Sequence, residues 1–289
     1  MKIKLSFVLL LTVLIIVGGV FLFKNPVEKN STGAPKESKL RAPRTILDPF
    51  DTVSGARTGL DPIRDGLRFS NTTGWEKRYF DITKLESWFV PDWRTKITLP
   101  PPPANTSIRT AKELALLKNY QETLRTPERV KNILDEVNAT TTKFGDFMVT
   151  DYLDETKFPA TAAALGPALK DINTLVFKMK QKYDRARPSV LDSSIIPVVT
   201  VPGHPAYPSG HSTQMHFVAY VLSELMPDRA AEFENRADEI AMDREIAGLH
   251  YPSDTKAGQM LAREYMDILL GDTTFQTRLD LARREWRQK

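Results

Sequence analysis

The residues best suited to chemistry gather in one stretch, His204-Pro205-Ala206-Tyr207-Pro208-Ser209-Gly210-His211-Ser212-Thr213. Three of the chain's four histidines, His204, His211 and His216, fall in it or just after it. Imidazole is the side chain best placed to move protons near neutral pH. Pro208 and Ser209 read as a helix start: a rigid turn, a hydroxyl N-cap, then an apolar-periodic run. Such a start offers unpaired backbone N–H groups and a partial positive charge, which suits an anion. Gly210 lacks a Cβ where a ligand would approach, and His211 in the first turn is placed to give that ligand a proton. Taken alone, the stretch is equally a capped helix with an incidental histidine. Ala206-Tyr207-Pro208-Ser209-Gly210 is not Gly-x-Ser-x-Gly, so Ser209 is not expected to be a nucleophile.

Two further constellations flank it. In Lys180-Gln181-Lys182-Tyr183-Asp184-Arg185-Ala186-Arg187-Pro188, Lys180 and Arg187 are seven residues apart. That is about two helical turns, so the two cations can share a face. Pro188 biases Arg187 out of helical geometry. An Arg fork and a Lys point charge suit a phosphate, although a solvated basic helix end gives the same pattern. Downstream lies Asp243-Arg244-Glu245-Ile246-Ala247-Gly248-Leu249-His250-Tyr251-Pro252-Ser253-Asp254. Gly248 can end one helix and Pro252 can start the next, which puts His250 on the corner between them. Asp254, four residues on, can fix the imidazole tautomer and leave the other nitrogen free to attack. Arg244 adds a third cation. A metal site is disfavoured, because His211 and His216 are five apart and no His-Glu-x-x-His occurs.

The elements that must position these residues are helices. Apolar residues recur at helical spacing in Thr110–Glu122, Pro127–Val137, Thr161–Tyr183, Ser209–Met226, Arg229–Gly248, Pro252–Leu270 and Thr273–Arg287. Ile195–Val201 is the one short β-branched run beyond residue 108 that suits a strand. The expected fold is an all-α bundle over residues 108–289.

Upstream, Leu5 to Phe23 runs 19 residues without a charge between Lys4 and Lys24. Roughly 20 apolar residues span a bilayer, whereas a cleaved signal has an apolar region of about 7–15. Residues 1–24 are therefore expected to be a signal anchor, with a cleaved signal peptide as the alternative. Lys and Arg after the span outnumber those before it, which opposes export, yet the short basic start is the layout of an export signal. An exported periplasmic or extracellular domain is the expectation, either anchored or secreted. Residues 25–107 read as a polar linker and an irregular extension rich in Trp, Tyr and Phe. It ends at Pro100-Pro101-Pro102-Pro103, a stiff spacer. The net charge of +4, from 40 basic and 36 acidic residues, is too small to argue for nucleic acid. The absence of cysteine removes disulfides, thiolate nucleophiles and Cys-ligated zinc. Homo-oligomerisation is left open.

Together the three motifs resemble the signature of the type 2 phosphatidic acid phosphatase superfamily, which includes class A acid phosphatases and vanadium haloperoxidases. That signature is Lys-(six residues)-Arg-Pro, then Pro-Ser-Gly-His, then Ser-Arg-(five residues)-His-(three residues)-Asp. Here it reads Lys180…Arg187-Pro188, Pro208-Ser209-Gly210-His211 and Asp243-Arg244…His250…Asp254. Asp243 replaces the usual Ser, where it either weakens anion binding or pairs with Arg244 from outside. The resemblance implies a helical bundle of the acid phosphatase/haloperoxidase type and a metal-independent phosphatase acting on phosphomonoesters. It implies His250 as nucleophile, Asp254 as its orienting carboxylate and His211 as general acid. Lys180, Arg187, Ser209, Gly210 and Arg244 would hold the phosphoryl oxygens. No cofactor is implied, except vanadate if the chain is a haloperoxidase. A lipid phosphate or diphosphate phosphatase is the other alternative.

Overall fold

Among the residues described by the computed structural model, 62–138 and 154–288, every regular element is helical. The expected anchor at residues 5–23 and the polar linker lie outside them, and no helix among the described residues is long and apolar enough to cross a membrane. Ile195–Val201 does not form a strand. Its amides are taken up by the surrounding helices instead: Ile196 N–H donates to Gln121 and Val198 N–H to Ala247 O at 3.0 Å.

Four short helices open the described chain: α1 (Pro62–Asp65), α2 (Phe69–Thr72), α3 (Lys77–Ile82) and α4 (Trp93–Lys96). The extension is therefore partly helical. Buried Asp171 fastens it to the bundle, accepting from Ser87 Oγ at 2.9 Å, Trp88 N at 2.5 Å and Tyr265 Oη at 2.9 Å. Tyr183 Oη reaches Leu99 O at 2.7 Å, and Tyr79 stacks on Phe177 with ring centroids 5.5 Å apart.

The bundle comprises α5 (Ile108–Thr123), α6 (Pro127–Asn138), α7 (Pro159–Tyr183), α8 (Pro188–Leu191), α9 (Gly210–Leu225), α10 (Ala230–Ile246), α11 (Pro252–Leu270) and α12 (Thr273–Arg287). Their ends follow local chemistry. Ser107, Ser209 and Asp272 are N-caps whose side chains accept from Thr110 N, Ser212 N and Phe275 N. Pro159, Pro188 and Pro252 each occupy a first helical position, where the missing N–H costs nothing. Gly248 ends α10 at φ +74°, a left-handed conformation that favours glycine.

Helix α9 is the axis of the bundle. It packs chiefly against α10 and α11, with α7 and α12 alongside. Met215, Phe217, Val218, Ala219, Val221 and Leu222 on it are fully buried. Each larger side chain among them stabilises the fold by about 1.5–3 kcal/mol.

The first turns of α9 and α11 meet at Gly258. A Cβ there would lie 2.7 Å from Ser209 O and 2.8 Å from Ser212 Cβ. Gly258→Ala is therefore expected to destabilise the protein by about 1–3 kcal/mol, although alanine in a helix is otherwise favoured over glycine. A thermal melt checks this; an unchanged or raised melting temperature would show that the helices have room to spare.

Candidate active site

The three motifs converge where the start of α9, the start of α11 and the loop after α7 meet. Asp254 is the hub. It is fully buried, and its Oδ2 accepts from His250 Nδ1 at 3.1 Å and from Tyr251 N at 3.0 Å. Its Oδ1 accepts from Arg185 Nη1 at 2.5 Å, and its main-chain O accepts from Ser209 N at 3.0 Å. On the other side of the ring, Arg187 Nη1 lies 3.1 Å from His250 Nε2. A guanidinium only donates. Nε2 is thus the acceptor, and the proton of the neutral ring sits on Nδ1, facing Asp254.

Charge and burial act in the same sense on this pair. Burial first, and then Arg187, push the His250 imidazole down to about 3. Burial alone would raise the Asp254 carboxyl; Arg185, His250 and the Tyr251 N–H together outweigh it and hold it well below the usual range. Near neutral pH the site therefore holds an ionised carboxylate and a neutral imidazole whose Nε2 lone pair accepts from Arg187.

Lys180 and Arg187 do not share a helical face. Helix α7 stops at Tyr183, and Asp184 turns the chain at φ +45°, a conformation that Asp tolerates better than most residues. Arg187 then sits in extended backbone ahead of Pro188. The two cations reach the site by different routes. Lys180 Nζ donates to Pro205 O at 2.8 Å, Ala206 O at 3.1 Å and Pro208 O at 2.6 Å. It thereby fixes the loop that carries the cis peptide Tyr207–Pro208. Burial, followed by Arg187, lowers its pKa well below the usual lysine range. Arg187 also donates to Leu249 O at 2.8 Å and His204 O at 2.8 Å.

Arg244 comes from the last turn of α10 and is fully buried. Its Nη2 pairs with Glu136 of α6, while its Nε and Nη1 have no hydrogen-bond partner among the described residues. Glu136 also holds Arg236 at 3.0 Å. Burial pushes the Glu136 carboxyl up to about 7 against the pull of Arg244. Asp243 is turned away: its Oδ1 accepts from Arg129 Nε of α6. It pairs with Arg129 and also bonds the Glu136 carboxyl that holds Arg244.

Ser209 is buried, and its Oγ accepts from Ser212 N at 3.4 Å. Gly210 and His211 are half-buried at the mouth of the site. An added Cβ at Gly210 would meet only Val176, at 3.8 Å, so packing does not require glycine there. Burial, then Arg244 and His250, push the His211 imidazole well below its ordinary 6.5. His216 is a core histidine, set between Ser212 O at 2.7 Å and Asp238 Oδ1 at 3.0 Å. Among the described residues, no group of three or more His, Cys, Asp or Glu is arranged to hold a metal.

Several side chains at the site were not singled out from sequence. Arg185 lies two residues from Arg187 and faces the opposite side of the pair. Glu113 of α5 accepts from Arg185 Nη2 at 3.2 Å and from Ser253 N at 3.0 Å. Its signal was a carboxylate on the stripe of Thr110, Leu114 and Leu117, which are all buried. His204 packs edge-on against Tyr79 with centroids 4.7 Å apart, so the extension lines the rim.

Residues 159–264 match the model of the PAP2 superfamily. An acid phosphatase of Zymomonas mobilis is 34% identical over 137 residues, covering 46% of this chain and 52% of that protein. A non-specific acid phosphatase of Salmonella typhimurium is 36% identical over 114 residues, covering 38% of this chain and 46% of the relative. The chain thus spans about half the length of each of these two. A bacterial vanadium-dependent iodoperoxidase has a similar fold, with a TM-score of 0.54 at 18% identity, over 75% of this chain and 62% of that one. The resemblance read from the three motifs is borne out, and so is the all-helical fold.

Glu245 of α10 also lies behind the pair. Burial, reinforced by Glu113 and Asp254, pushes its carboxyl up to about 8 against a bond from Thr255. An acid with a raised folded pKa binds more protons folded than unfolded. Its favourable contribution is present below its ordinary 4.5 and is lost as the pH rises toward about 8. Glu245→Gln is therefore expected to shrink the drop in melting temperature between pH 5 and pH 8 by roughly 5 °C or more. Parallel thermal melts of both proteins across that range check it.

Proposed function

We propose that this protein is a metal-independent phosphatase that hydrolyses phosphomonoesters through a phosphohistidine at His250. The observation that carries the proposal is the His250 ring itself. Its Nδ1 is held by Asp254 and its Nε2 faces Arg187, beside an Arg244 with two buried donors that lack a partner among the described residues. A nucleophile with an oriented tautomer and cations at the point of attack are what phosphoryl transfer needs, since positioning and charge stabilisation dominate that reaction. The acid phosphatases of Zymomonas mobilis and Salmonella typhimurium support the same reading.

In the first step Arg187 passes its Nη1 donor from Nε2 to a phosphoryl oxygen, and the freed Nε2 lone pair of His250 forms the N–P bond. The ester P–O bond breaks, and its electron pair leaves on the oxygen, which takes the proton of His211. In the second step water attacks phosphorus, His211 takes the water's proton, and the N–P pair returns to Nε2. Arg244, Arg187 and the Gly210 N–H stabilise the equatorial oxygens. Ser209 caps the helix that presents them, and Lys180 holds the loop before it. The half-buried mouth, open beside Gly210 and His211, supports water-accessible esters over lipids. We read the apolar run at residues 5–23 as a membrane anchor that presents this domain outside the cytoplasm; its 19 uncharged residues support that reading.

The two imidazoles define a pH window. His250 must be neutral, which it is above about 3. His211 must carry a proton in the first step, which it does only well below 6.5. The profile of kcat/KM, which reports the free enzyme, is thus expected to peak in the acid range and fall before pH 6.5. His250→Ala is expected to lower kcat by at least about 10³-fold. His211→Ala is expected to cost far less with p-nitrophenyl phosphate, a good leaving group, than with an alkyl phosphate. A hydrolysis panel over nucleotides, sugar phosphates and lipid phosphates, with EDTA and vanadate controls, checks all three. Equal losses on both leaving groups would remove His211 from the acid role, and abolition by EDTA would overturn metal independence.

A further inference from the structure

Behind the nucleophile lies an unbroken line of buried charge. Glu113 Oε2 is 3.2 Å from Arg185 Nη2, Arg185 Nη1 is 2.5 Å from Asp254 Oδ1, and Asp254 Oδ2 is 3.1 Å from His250 Nδ1. All four side chains are at most 4% exposed. The Arg185 guanidinium also lies 3.8 Å over the Tyr251 ring, which fixes its plane. Glu113 stands on α5, outside the stretch that matches the PAP2 superfamily.

We propose that Glu113 is a positioning residue that tunes the nucleophilicity of His250 through Arg185 and Asp254. The proposal rests on the phosphohistidine reading above. Forming the N–P bond leaves a positive charge on the ring, because Nδ1 keeps its proton. Asp254 stabilises that charge, but the ion pair with Arg185 draws on the same carboxylate. Arg185 and Asp254 together are neutral, so on their own they do little for a cation beyond. Glu113 makes the three buried groups behind the ring net negative, in surroundings where charges interact strongly, and the less buried Arg109 offsets that charge only in part.

Glu113 also sets where this charge sits. Its Oε1 accepts from Ser253 N at 3.0 Å, and its Oε2 accepts from Ser253 Oγ at 3.0 Å. Ser253 N is one of the unpaired first-turn donors of α11, and Asp254 follows it. A single carboxylate thereby fastens the helix start that carries Asp254 and balances the cation that grips it. Arg109, four residues earlier on α5, leans on Glu113 at 3.4 Å from the side nearer solvent.

The test is Glu113→Gln, which keeps the shape and removes the charge, read beside Glu113→Asp, which keeps the charge. With p-nitrophenyl phosphate, Glu113→Gln is expected to lower kcat by about 10- to 100-fold. KM and the inhibition constant of inorganic phosphate are expected to stay within about threefold, since the cradle is intact. The alkali-quenched phosphoenzyme should form more slowly by the same factor as kcat, and Glu113→Asp should recover most of the rate. A folded Glu113→Gln with wild-type kcat overturns the proposal. So do equal losses in both variants, which would make Glu113 a matter of shape alone. Should Glu113→Gln not fold, Arg109→Gln is read instead: removing that cation should speed phosphoenzyme formation, and an unchanged or slower rate overturns the proposal. Failure of the underlying reading is distinguishable, because wild-type protein would then trap no phosphoenzyme and His250→Ala would keep its turnover.

Discussion

The ionised, fully buried Asp254 is the constraint on which the rest of the site depends. A carboxylate removed from water without partners would take up a proton. Here the Arg185 guanidinium, the Tyr251 amide and the His250 Nδ1–H prevent that. The tautomer of His250 and the lone pair that Nε2 offers to Arg187 both follow from it. The backbone of the same residue accepts from Ser209 N, so one position orients the His250 ring and aligns the start of α9. The missing Cβ of Gly258 lets the two helix starts come close enough for this.

Around that hub the protein buries an unusual amount of charge. Arg185, Arg187, Arg244 and Lys180 are almost entirely removed from solvent. Burial of each is tolerable only with partners, and the partners differ in kind. Arg185 has two carboxylates, Arg244 has one, and Arg187 and Lys180 are held largely by main-chain carbonyls. Arg244 alone among them is left with two donors lacking a partner among the described residues on one guanidinium, with a further lone Nε on Arg185. The gradient from fully satisfied cations to a partly satisfied one marks where an anion is best received.

Much of this was legible in the sequence because helix ends are written in local chemistry. Proline at a first position, serine at a cap and glycine after a last turn placed α7, α9, α10 and α11 to within about two residues, the usual uncertainty of such boundaries. The pairing of His250 with Asp254 followed from their place on the corner and first turn of α11. The shared face of Lys180 and Arg187 did not survive, since a left-handed Asp184 breaks the helical register that the spacing assumed. Arg185 and Arg187 could not be told apart in function, because residues two apart in extended backbone share a side, and only the fold brings one to Asp254 Oδ1 and the other to His250 Nε2. Glu113, Glu136 and Arg129 were unreadable as site residues for a different reason: each meets its partner across at least 72 residues of sequence. The extension resisted reading because its helices are only four to six residues long, too short for a period to show.

The grip of Lys180 on three carbonyls has a mechanical side. An ammonium has three protons, and all three are engaged in tying α7 to the loop before Ser209. Any anion that recruits this lysine must take a hydrogen bond away from the carbonyl of residue 205, 206 or 208. Occupancy of the cradle and tautness of its floor are therefore opposed quantities. An anion held by Lys180 would slacken the segment that presents Gly210 and His211, and the recoil of that segment onto the lysine would favour the anion's departure.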